Sequence, residues 1–457
     1  MGESDFFSVR KCVPILRGPA VKHSIRILVS SLVLVLCATV EGREFRAGFA
    51  QQDITPAKAM PMWGYGARHA ALSTGLRDPL FVKAVVLDVE SEKVAIVGLD
   101  LGRSPTDAMM GRIREAVKKA ANVDFVMISG SHTHHGPVIE LLDEPGKGQT
   151  TFDDAVAYSK ELEQKIVTAI CEAGANVRPA KIGWGTKQVA MNRNRHSKIE
   201  PKPVDQELGV IRLDDRDGKP IALIVNYAAH PTMLDAADLR FSAEWPGAMA
   251  KNVEENLHAP CVFMQGACGD LSTMTTEETR GVEAFGKAMA AHVLDVSSSL
   301  TTSVPEKPRI KCLEETFEFP TRMTFSNPVT QAMFGAAFFP ELASASMSDE
   351  LLNNKIRPRI ISVVINQELA LVGGSGEFFC EHSLRLKQRS RAAETFFFGY
   401  CNGHHMYFPT IEATAEGGYG ADSTVSWVSL GAGEEMLDHA LIQIYTMLGH
   451  YTFERKN

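Results

Sequence analysis

The fold of this 457-residue chain is decided by Phe125-Val-Met-Ile-Ser-Gly-Ser-His-Thr-His-His-Gly-Pro137. Its first four residues are apolar and β-prone, which predicts a short buried strand. The loop after them carries His-x-His. In an extended chain, residues two apart share a face, so His132 and His134 can converge on one point. Because neutral imidazole is a good zinc ligand, the stretch predicts a metal-binding loop; the alternative is a polar loop whose histidines only hydrogen-bond the backbone.

The elements around this stretch recur three times along the chain. Each time, the residue patterns predict a β-hairpin, then a helix, then a further strand. In the first unit the hairpin strands are 82–89 and 94–99, the helix is 104–121 and the final strand is 125–128. In the second unit the corresponding ranges are 209–213, 221–227, 245–257 and 261–264. In the third they are 360–365, 369–372, 378–391 and 395–398. Ser104 is the expected N-cap of the first helix.

A helical crossover makes the last strand of each unit parallel to the second hairpin strand. Both loops of a unit therefore leave the sheet at the same edge, where open α/β sheets bind ligands. This predicts an α/β fold with a mixed β-sheet core built from hairpin–helix–strand units, flanking helices and an active site at the C-terminal strand ends. His132, His230, Glu377 and Tyr407 all fall in such loops.

These loop residues have the chemistry of a catalytic zinc site, which needs about three protein ligands and an open position for water. His132, His230 and Glu377 supply such a set. Tyr407 can complete it or donate a hydrogen bond to a developing oxyanion. His134, on the same strand face as His132, is placed for proton transfer.

Each candidate also has a purely structural interpretation. His230 precedes Pro231 and is typical of a turn, Glu377 is typical of a helix N-terminus, and Tyr407 is typical of a packed aromatic residue. Arg193 can polarise a substrate carbonyl, or it can form a surface ion pair. The common position of the loop residues on one sheet edge favours the active-site interpretation.

Several short motifs occur in order from about residue 47 to residue 425. They are Met62-Trp-Gly-Tyr-Gly66, Ser131-His-Thr-His-His-Gly-Pro137, Asn192-Arg193, His230, Gly376-Glu-Phe378, Tyr407, and Tyr419 before Ala421-Asp-Ser-Thr424. Together they resemble the motifs of the neutral/alkaline (non-lysosomal) ceramidases, in their N-terminal catalytic domain. The corresponding family motifs include M-G-Y-G, S-H-T-H-S-G-P and N-R-S-P.

The resemblance implies a zinc-dependent amidohydrolase that cleaves the N-acyl bond of ceramide by zinc-activated water, with Zn²⁺ as cofactor. The implied zinc ligands are His132, His230, Glu377 and Tyr407. The implied catalytic groups facing the substrate are His134, Arg193 and Tyr419. In this scheme the oxyanion is held by zinc with Tyr419 or Arg193, and His134 passes a proton to the leaving amine.

The chain also departs from the family pattern. His135 stands where the family motif has serine, so we expect it to tune which substrate the site accepts. The residues 265–270 match the family's S-N-x-G-D only in Gly269-Asp270, and the sequence ends at Asn457 without the C-terminal immunoglobulin-like domain. Two alternatives therefore stay open: a zinc hydrolase of another acylated amide or ester, and a non-catalytic metal-binding relative.

The N-terminus predicts export. Five basic residues precede an apolar run of 14 residues, 27–40. Such a run is typical of a secretory signal peptide and is short for a membrane span. We expect a signal peptide over residues 1–42 and a ceramidase-like catalytic domain over 43–457, in a periplasmic or secreted protein. A retained signal anchor is the alternative.

Composition limits the partners. The chain is 45% hydrophobic and 22% charged, as is usual for a globular protein. A net charge of −8 without a basic run argues against nucleic acid. The expected partner is a small-molecule N-acyl amide or sphingolipid, and peripheral membrane contact stays open, as does the oligomeric state. Scattered cysteines without a C-x-x-C pair indicate neither a cysteine zinc site nor a disulfide scaffold.

Overall fold

All three hairpin–helix–strand units are present in the structure, a computed structural model that describes residues 43–90 and 92–451. The described residues belong to one compact unit. The predicted signal peptide lies outside the described residues. Within the described part of the chain, no helix is both long and apolar enough to cross a bilayer.

The strands and helices follow one another in a mixed α/β order. The strands are β1 (Phe45–Asp53), β2 (Gly75–Leu76), β3 (Phe81–Val89), β4 (Glu92–Leu99), β5 (Phe125–Gly130), β6 (Leu142–Pro145), β7 (Gly148–Gln149), β8 (Arg178–Gln188), β9 (Asn192–Asn194), β10 (Glu207–Asp215), β11 (Pro220–Tyr227), β12 (Arg240–Phe241), β13 (Cys261–Gln265), β14 (Leu271–Thr273), β15 (Ile310–Thr316), β16 (Phe319–Pro320), β17 (Lys355–Ile356), β18 (Arg359–Ile365), β19 (Leu369–Gly374), β20 (Glu377–Phe378), β21 (Glu394–Phe398) and β22 (Tyr407–Phe408). The helices are α1 (Asp107–Ala121), α2 (Asp153–Ala175), α3 (Glu244–Leu257), α4 (Val282–Ser299), α5 (Pro328–Ala337), α6 (Pro340–Ser346), α7 (Asp349–Leu352), α8 (Cys380–Arg389), α9 (Ile411–Glu416) and α10 (Ala432–Leu448).

The three units share one topology. The hairpins are β3–β4, β10–β11 and β18–β19. In each unit a helix (α1, α3 or α8) leads to a strand that is parallel to the second hairpin strand: β5 to β4, β13 to β11, and β21 to β19. The sequence prediction of a mixed α/β fold built from such units is therefore confirmed.

The first helix begins later than the sequence indicated. Its N-cap is Thr106, whose hydroxyl accepts a hydrogen bond from the Met109 amide. Ser104, the predicted cap, instead donates its hydroxyl to the carbonyl of Gly403 at 2.9 Å. The prediction was wrong because Ser104 has a tertiary partner 299 residues away, which a local capping rule does not consider.

Two main sheets bring the units together. One has eight strands in the order β13-β11-β10-β8-β1-β3-β4-β5, and the other has four in the order β15-β18-β19-β21. The loops after their strands are joined by backbone contacts: a bridge links Ser129 to Cys401, and the Gly399 amide donates to the Gln265 carbonyl at 2.9 Å. The strand-end loops of all three units therefore meet at one place.

The segment 307–347, which reads as irregular loop in sequence, contains β15, β16, α5 and α6. Asn327-Pro328 suggests a turn, but here Asn327 caps α5 and Pro328 occupies its first turn. Proline is compatible with that position because the first helical amides have no intrahelical partner. The resulting apolar helices form one wall of the main cavity.

Candidate metal centre

Three strand-end loops supply the polar centre. His132 follows β5 and its amide donates to the Leu101 carbonyl, while His230 follows β11 and its amide donates to the Leu271 carbonyl, both at 3.0 Å. Glu377 begins β20, which pairs in parallel with β22 so that Glu377 lies opposite Tyr407. These backbone contacts fix the directions of the side chains before any ligand binds.

The side-chain donors lie at the spacing of metal ligands. The His132 Nε2 atom is 3.1 Å from His230 Nε2, 3.3 Å from His134 Nε2 and 3.4 Å from Glu377 Oε2. Glu377 Oε2 is 3.5 Å from His230 Nε2. Tetrahedral zinc with bonds of about 2.0–2.1 Å to nitrogen and oxygen separates its ligands by about 3.3 Å. The cluster therefore fits a metal ion of this size.

The hydrogen bonds of the outer ring nitrogens set the tautomers. His132 Nδ1 lies 2.9 Å from the Gly102 carbonyl, and His230 Nδ1 lies 2.6 Å from the Cys268 carbonyl. A carbonyl only accepts, so each Nδ1 carries a proton, and in the neutral ring the Nε2 atom then carries a lone pair. Two buried lone pairs that face each other at 3.1 Å are stabilised by a cation between them.

The charges of the cluster agree with this arrangement. Burial, assisted by the guanidinium of Arg195, lowers the pKa of His230 to about 3, so the ring is neutral at ordinary pH. Burial alone would raise the pKa of Glu377, but its contacts with His132 and His230 hold that pKa well below the usual range. His230 is thus a neutral imidazole and Glu377 a carboxylate, which are the protonation states that bind zinc.

His134 is itself part of the cluster. Its Nε2 atom belongs to a group of three histidine nitrogens, with those of His132 and His230, that lie within 4.8 Å of one another and can hold a metal. Burial and the other two imidazoles hold the pKa of His134 well below its ordinary value. The structure therefore allows His134 to act either as a ligand or as a neutral proton acceptor.

The Met62-Trp-Gly-Tyr-Gly66 loop shapes the space next to these rings. Trp63 meets His132 and His134 edge-on, with ring centroids 5.2 and 5.4 Å apart. Gly64 has a φ of +104°, and a Cβ there would lie 2.4 Å from His134 Cγ. Only glycine suits both the left-handed backbone and this close approach.

The structure brings Arg195, and not Arg193, into contact with the cluster. In β9, Asn192 and Asn194 are buried, so the intervening Arg193 points to the opposite, exposed face. Arg195 follows the strand, and its Nη2 atom donates to His230 Nε2 at 3.0 Å and to the Tyr407 hydroxyl at 3.4 Å. The dipeptide Asn-Arg occurs twice in this segment, and the second copy is the one at the site.

The two predicted tyrosines lie together. Tyr407 is buried, and Tyr419 meets it edge-on with ring centroids 5.6 Å apart while 66% of its surface stays exposed. Burial and the Glu377 carboxylate raise the pKa of Tyr407 well above its ordinary value, so its hydroxyl is protonated. Tyr407 thus lies at the centre and Tyr419 at its open side.

Two further residues at the site were missed by the sequence analysis. The Tyr400 hydroxyl lies 3.3 Å from Glu377 Oε2, and His404 Nε2 lies 3.6 Å from Glu377 Oε1. Both come from the loop between β21 and β22, which leads directly to Tyr407. The family motifs indicated only Tyr407. The position of this segment after a parallel strand could have indicated Tyr400 and His404 as well.

A cavity of about 810 Å³ opens onto the cluster. His134, Glu377, Tyr407 and Tyr419 line its polar end. The apolar wall is formed mainly by α5, α6 and the loop between them, with Phe334, Phe338, Phe339 and Leu342. A ligand that fits this space would place a polar group at the cluster and an apolar chain along the helices.

Fold and site together define a class: mixed α/β proteins in which converging strand-end loops form a buried imidazole–carboxylate cluster that could hold a metal ion. The model of the family described as neutral/alkaline non-lysosomal ceramidase, N-terminal, matches residues 45–316, which is more than half of the chain. The chain belongs to this family. The matched range contains His132, His134, Arg195 and His230.

Curated relatives agree with the assignment. The chain is 28% identical over 253 residues to a neutral ceramidase of Oryza sativa subsp. japonica, covering 50% of this chain and 31% of that protein. It is 26% identical over 216 residues to neutral ceramidase 3 of Arabidopsis thaliana, covering 42% and 28%. The match thus spans about a third of the length of these relatives.

The crystal structure of the neutral ceramidase from Pseudomonas aeruginosa has the same fold, with a TM-score of 0.72 at 17% identity over 91% of this chain and 76% of that one. A structure of a ceramidase complexed with C2 matches with a TM-score of 0.71 at 17% identity, over 91% and 77%. The fold similarity therefore extends beyond the residues of the family match and includes most of the chain.

His135, the residue that departs from the family motif, does not line the cavity. Its Nε2 atom accepts a hydrogen bond from Arg68 Nη2 at 2.7 Å, and the ring is fully buried. Burial and the adjacent Arg68 guanidinium lower the pKa of His135 to about 4. The residue thus holds the loop against Arg68.

This pKa predicts a pH-dependent contribution of His135 to stability. In the unfolded chain the ring takes a proton near pH 6.5, but in the folded protein only near pH 4, so folding loses free energy as the pH falls between these values. Between pH 7.5 and 5.0 the loss is about 2 kcal/mol. When the pH is lowered from 7.5 to 5.0, the free energy of unfolding in urea should therefore fall by about 2 kcal/mol more for the wild type than for His135→Ser. Equal differences at both pH values would contradict the assignment.

Proposed function

We propose that this protein is an exported, zinc-dependent amidohydrolase that cleaves the N-acyl bond of ceramide or a closely related sphingolipid. The observation that carries the proposal is the meeting of His132 Nε2, His230 Nε2 and Glu377 Oε2 at ligand spacing, at the end of a cavity with an apolar wall. Membership in the ceramidase family supports the substrate class.

In this proposal His132, His230 and Glu377 hold the metal, and Tyr407, which lies beside Glu377 in the paired strands, completes the set. Zn²⁺ bound there would polarise the amide carbonyl and lower the pKa of a water molecule to about 7. Support for this set comes from the backbone carbonyls of Gly102 and Cys268, which accept Nδ1–H of His132 and His230 and so orient both rings.

The chain's own side chains handle the proton and the developing charge. His134 is neutral and partly buried, so its Nε2 atom can accept a proton and pass it to the leaving amine. Arg195 and Tyr419 would donate hydrogen bonds to the carbonyl oxygen as it gains negative charge. We assign the arginine role to Arg195 because its Nη2 atom contacts His230 and Tyr407, whereas the Arg193 side chain is exposed.

The apolar wall suits the acyl chain or the sphingoid chain of such a substrate. Phe334, Phe338 and Leu342 present hydrocarbon to the cavity next to the cluster. Each methylene removed from water there contributes about 0.8 kcal/mol. We therefore expect long-chain amides to bind more tightly than short-chain ones. The basic region and apolar run of residues 1–42 support export.

A second candidate function follows from the other wall of the cavity. Arg357 and Arg359 line it; among the described residues neither guanidinium forms an ion pair within 4.0 Å, although Arg357 helps to lower the pKa of Glu318 and Arg359 that of Asp107. Arginine recognises carboxylates and phosphates well. This feature favours an acylated amide or ester that carries an anionic group over a neutral sphingolipid.

A substrate screen of the zinc-loaded protein decides between these functions. Ceramide, a neutral long-chain N-acyl amine and an N-acyl amino acid of equal chain length are compared by release of fatty acid. We expect ceramide hydrolysis that is abolished by Glu377→Ala and by dialysis against a chelator, and restored in the wild type by Zn²⁺. Preferential hydrolysis of the N-acyl amino acid would favour the second candidate, and turnover unaffected by Glu377→Ala would contradict both.

Arg193 and Arg195 provide a matched pair of variants. Replacing Arg195 with Gln removes a hydrogen-bond donor from the site, and loss of one such donor typically lowers kcat by about 10²-fold. Replacing Arg193 with Gln changes the charge in the same way on the exposed face of the same strand, and should leave kcat within about twofold. A larger loss in Arg193→Gln than in Arg195→Gln would show that the assignment is inverted.

A further inference from the structure

Tyr400 lies where the loops of the three units meet. Its amide donates to the Gly376 carbonyl at 3.0 Å, and its carbonyl accepts from the Gly130 amide at 3.4 Å. The residue is fully buried and has a φ of +53°. A left-handed backbone costs a bulky residue about 1–2 kcal/mol, and such strain is retained mainly at functional sites.

The Tyr400 side chain contacts two of the proposed metal ligands at once. Its ring stacks on the His132 imidazole with centroids 4.0 Å apart and planes at 25°. Its hydroxyl lies 3.3 Å from Glu377 Oε2, the same oxygen that faces His132 and His230. A third contact joins the hydroxyl to Cys268 Sγ at 3.1 Å. One side chain therefore links loops from all three units.

The direction of these hydrogen bonds follows from the groups involved. The Glu377 carboxylate can only accept, so the Tyr400 hydroxyl donates to it. The tyrosine oxygen then accepts the thiol proton of Cys268, whose pKa is raised by burial so that it remains a thiol. The chain runs from Cys268 S–H to Tyr400 O–H to Glu377 Oε2, and every donor in it is satisfied.

We infer that Tyr400 is the positioning residue of the metal centre, whose ring fixes His132 and whose hydroxyl fixes the Glu377 carboxylate in the ligating orientation before the metal binds. The inference rests on the proposed function, since it needs the cluster to bind a metal. His404 lies 3.6 Å from the other carboxylate oxygen, so Glu377 is approached from both sides by residues of one loop. Loss of such an outer-shell partner typically weakens metal binding or activity 10- to 100-fold.

The test is the zinc affinity of Tyr400→Phe, measured by competition with a chromophoric chelator. This variant keeps the stacked ring and removes only the hydroxyl. We expect zinc to bind about 10- to 100-fold more weakly than in the wild type. Tyr158→Phe is the matched control, because Tyr158 is also buried and donates its hydroxyl to a backbone carbonyl, that of Ile54, at 2.6 Å. Its zinc affinity should equal that of the wild type.

The outcomes separate this inference from the proposed function. If the wild type binds one zinc and Tyr400→Phe binds it within twofold of the wild-type affinity, the positioning role is wrong although the metal site stands. If the wild type binds no zinc, both ideas are wrong. If Tyr400→Phe does not fold, Cys268→Ala and Cys268→Ser replace it. The alanine variant should bind zinc several-fold more weakly than the serine variant, which keeps a donor; equal affinities would overturn the role.

Discussion

The candidate metal centre depends on two hydrogen bonds that point away from it. His132 and His230 each donate Nδ1–H to a backbone carbonyl, and this leaves two Nε2 lone pairs facing each other at 3.1 Å in a buried place. Neither nitrogen can supply a proton to the other, so each needs a donor or a cation: Arg195 Nη2 lies 3.0 Å from His230 Nε2, and a bound metal would take both lone pairs. The carboxylate of Glu377 completes a donor set whose charge and geometry suit zinc.

The fold explains why these groups meet. Each hairpin–helix–strand unit directs its loops to one sheet edge, and backbone contacts then join the loops of different units. His132 comes from the first unit, His230 from the second and Glu377 from the third. Residues far apart in sequence are therefore fixed to within hydrogen-bonding distance by regular secondary structure, and by short loops that it supports. Tyr400 and Arg195 add side-chain links across the same junction.

Much of the fold and of the candidate site could be predicted from the sequence, because the three units are specified by local residue patterns. Apolar strands, turn residues and crossover helices showed the topology, and topology alone placed His132, His230, Glu377 and Tyr407 on one edge. Local rules failed where a tertiary contact decided the outcome. Ser104 bonds Gly403 and so does not cap a helix, as its local sequence suggested.

Which of the two arginines reaches the cluster depends on where each side chain points relative to β9. The spacing of residues in the sequence does not reveal this. Asn192-Arg193 and Asn194-Arg195 are equally good matches to the family dipeptide, and only the burial of both asparagines directs Arg193 outward. His135 was expected to tune which substrate the site accepts, but the structure places it against Arg68 and away from the cavity. In both cases the sequence indicated a residue type that matters near the site, but it did not reveal where the side chain points.

We propose that imidazole nitrogens and a carboxylate, rather than the nearby thiol of Cys268, hold a metal at this junction. X-ray absorption at the zinc edge of the zinc-loaded protein distinguishes these ligands most directly. We expect one zinc per chain, with nitrogen and oxygen ligands at about 2.0–2.1 Å, scattering from the outer imidazole atoms and no sulfur. A sulfur shell at about 2.3 Å, or the absence of stoichiometric zinc, would contradict it.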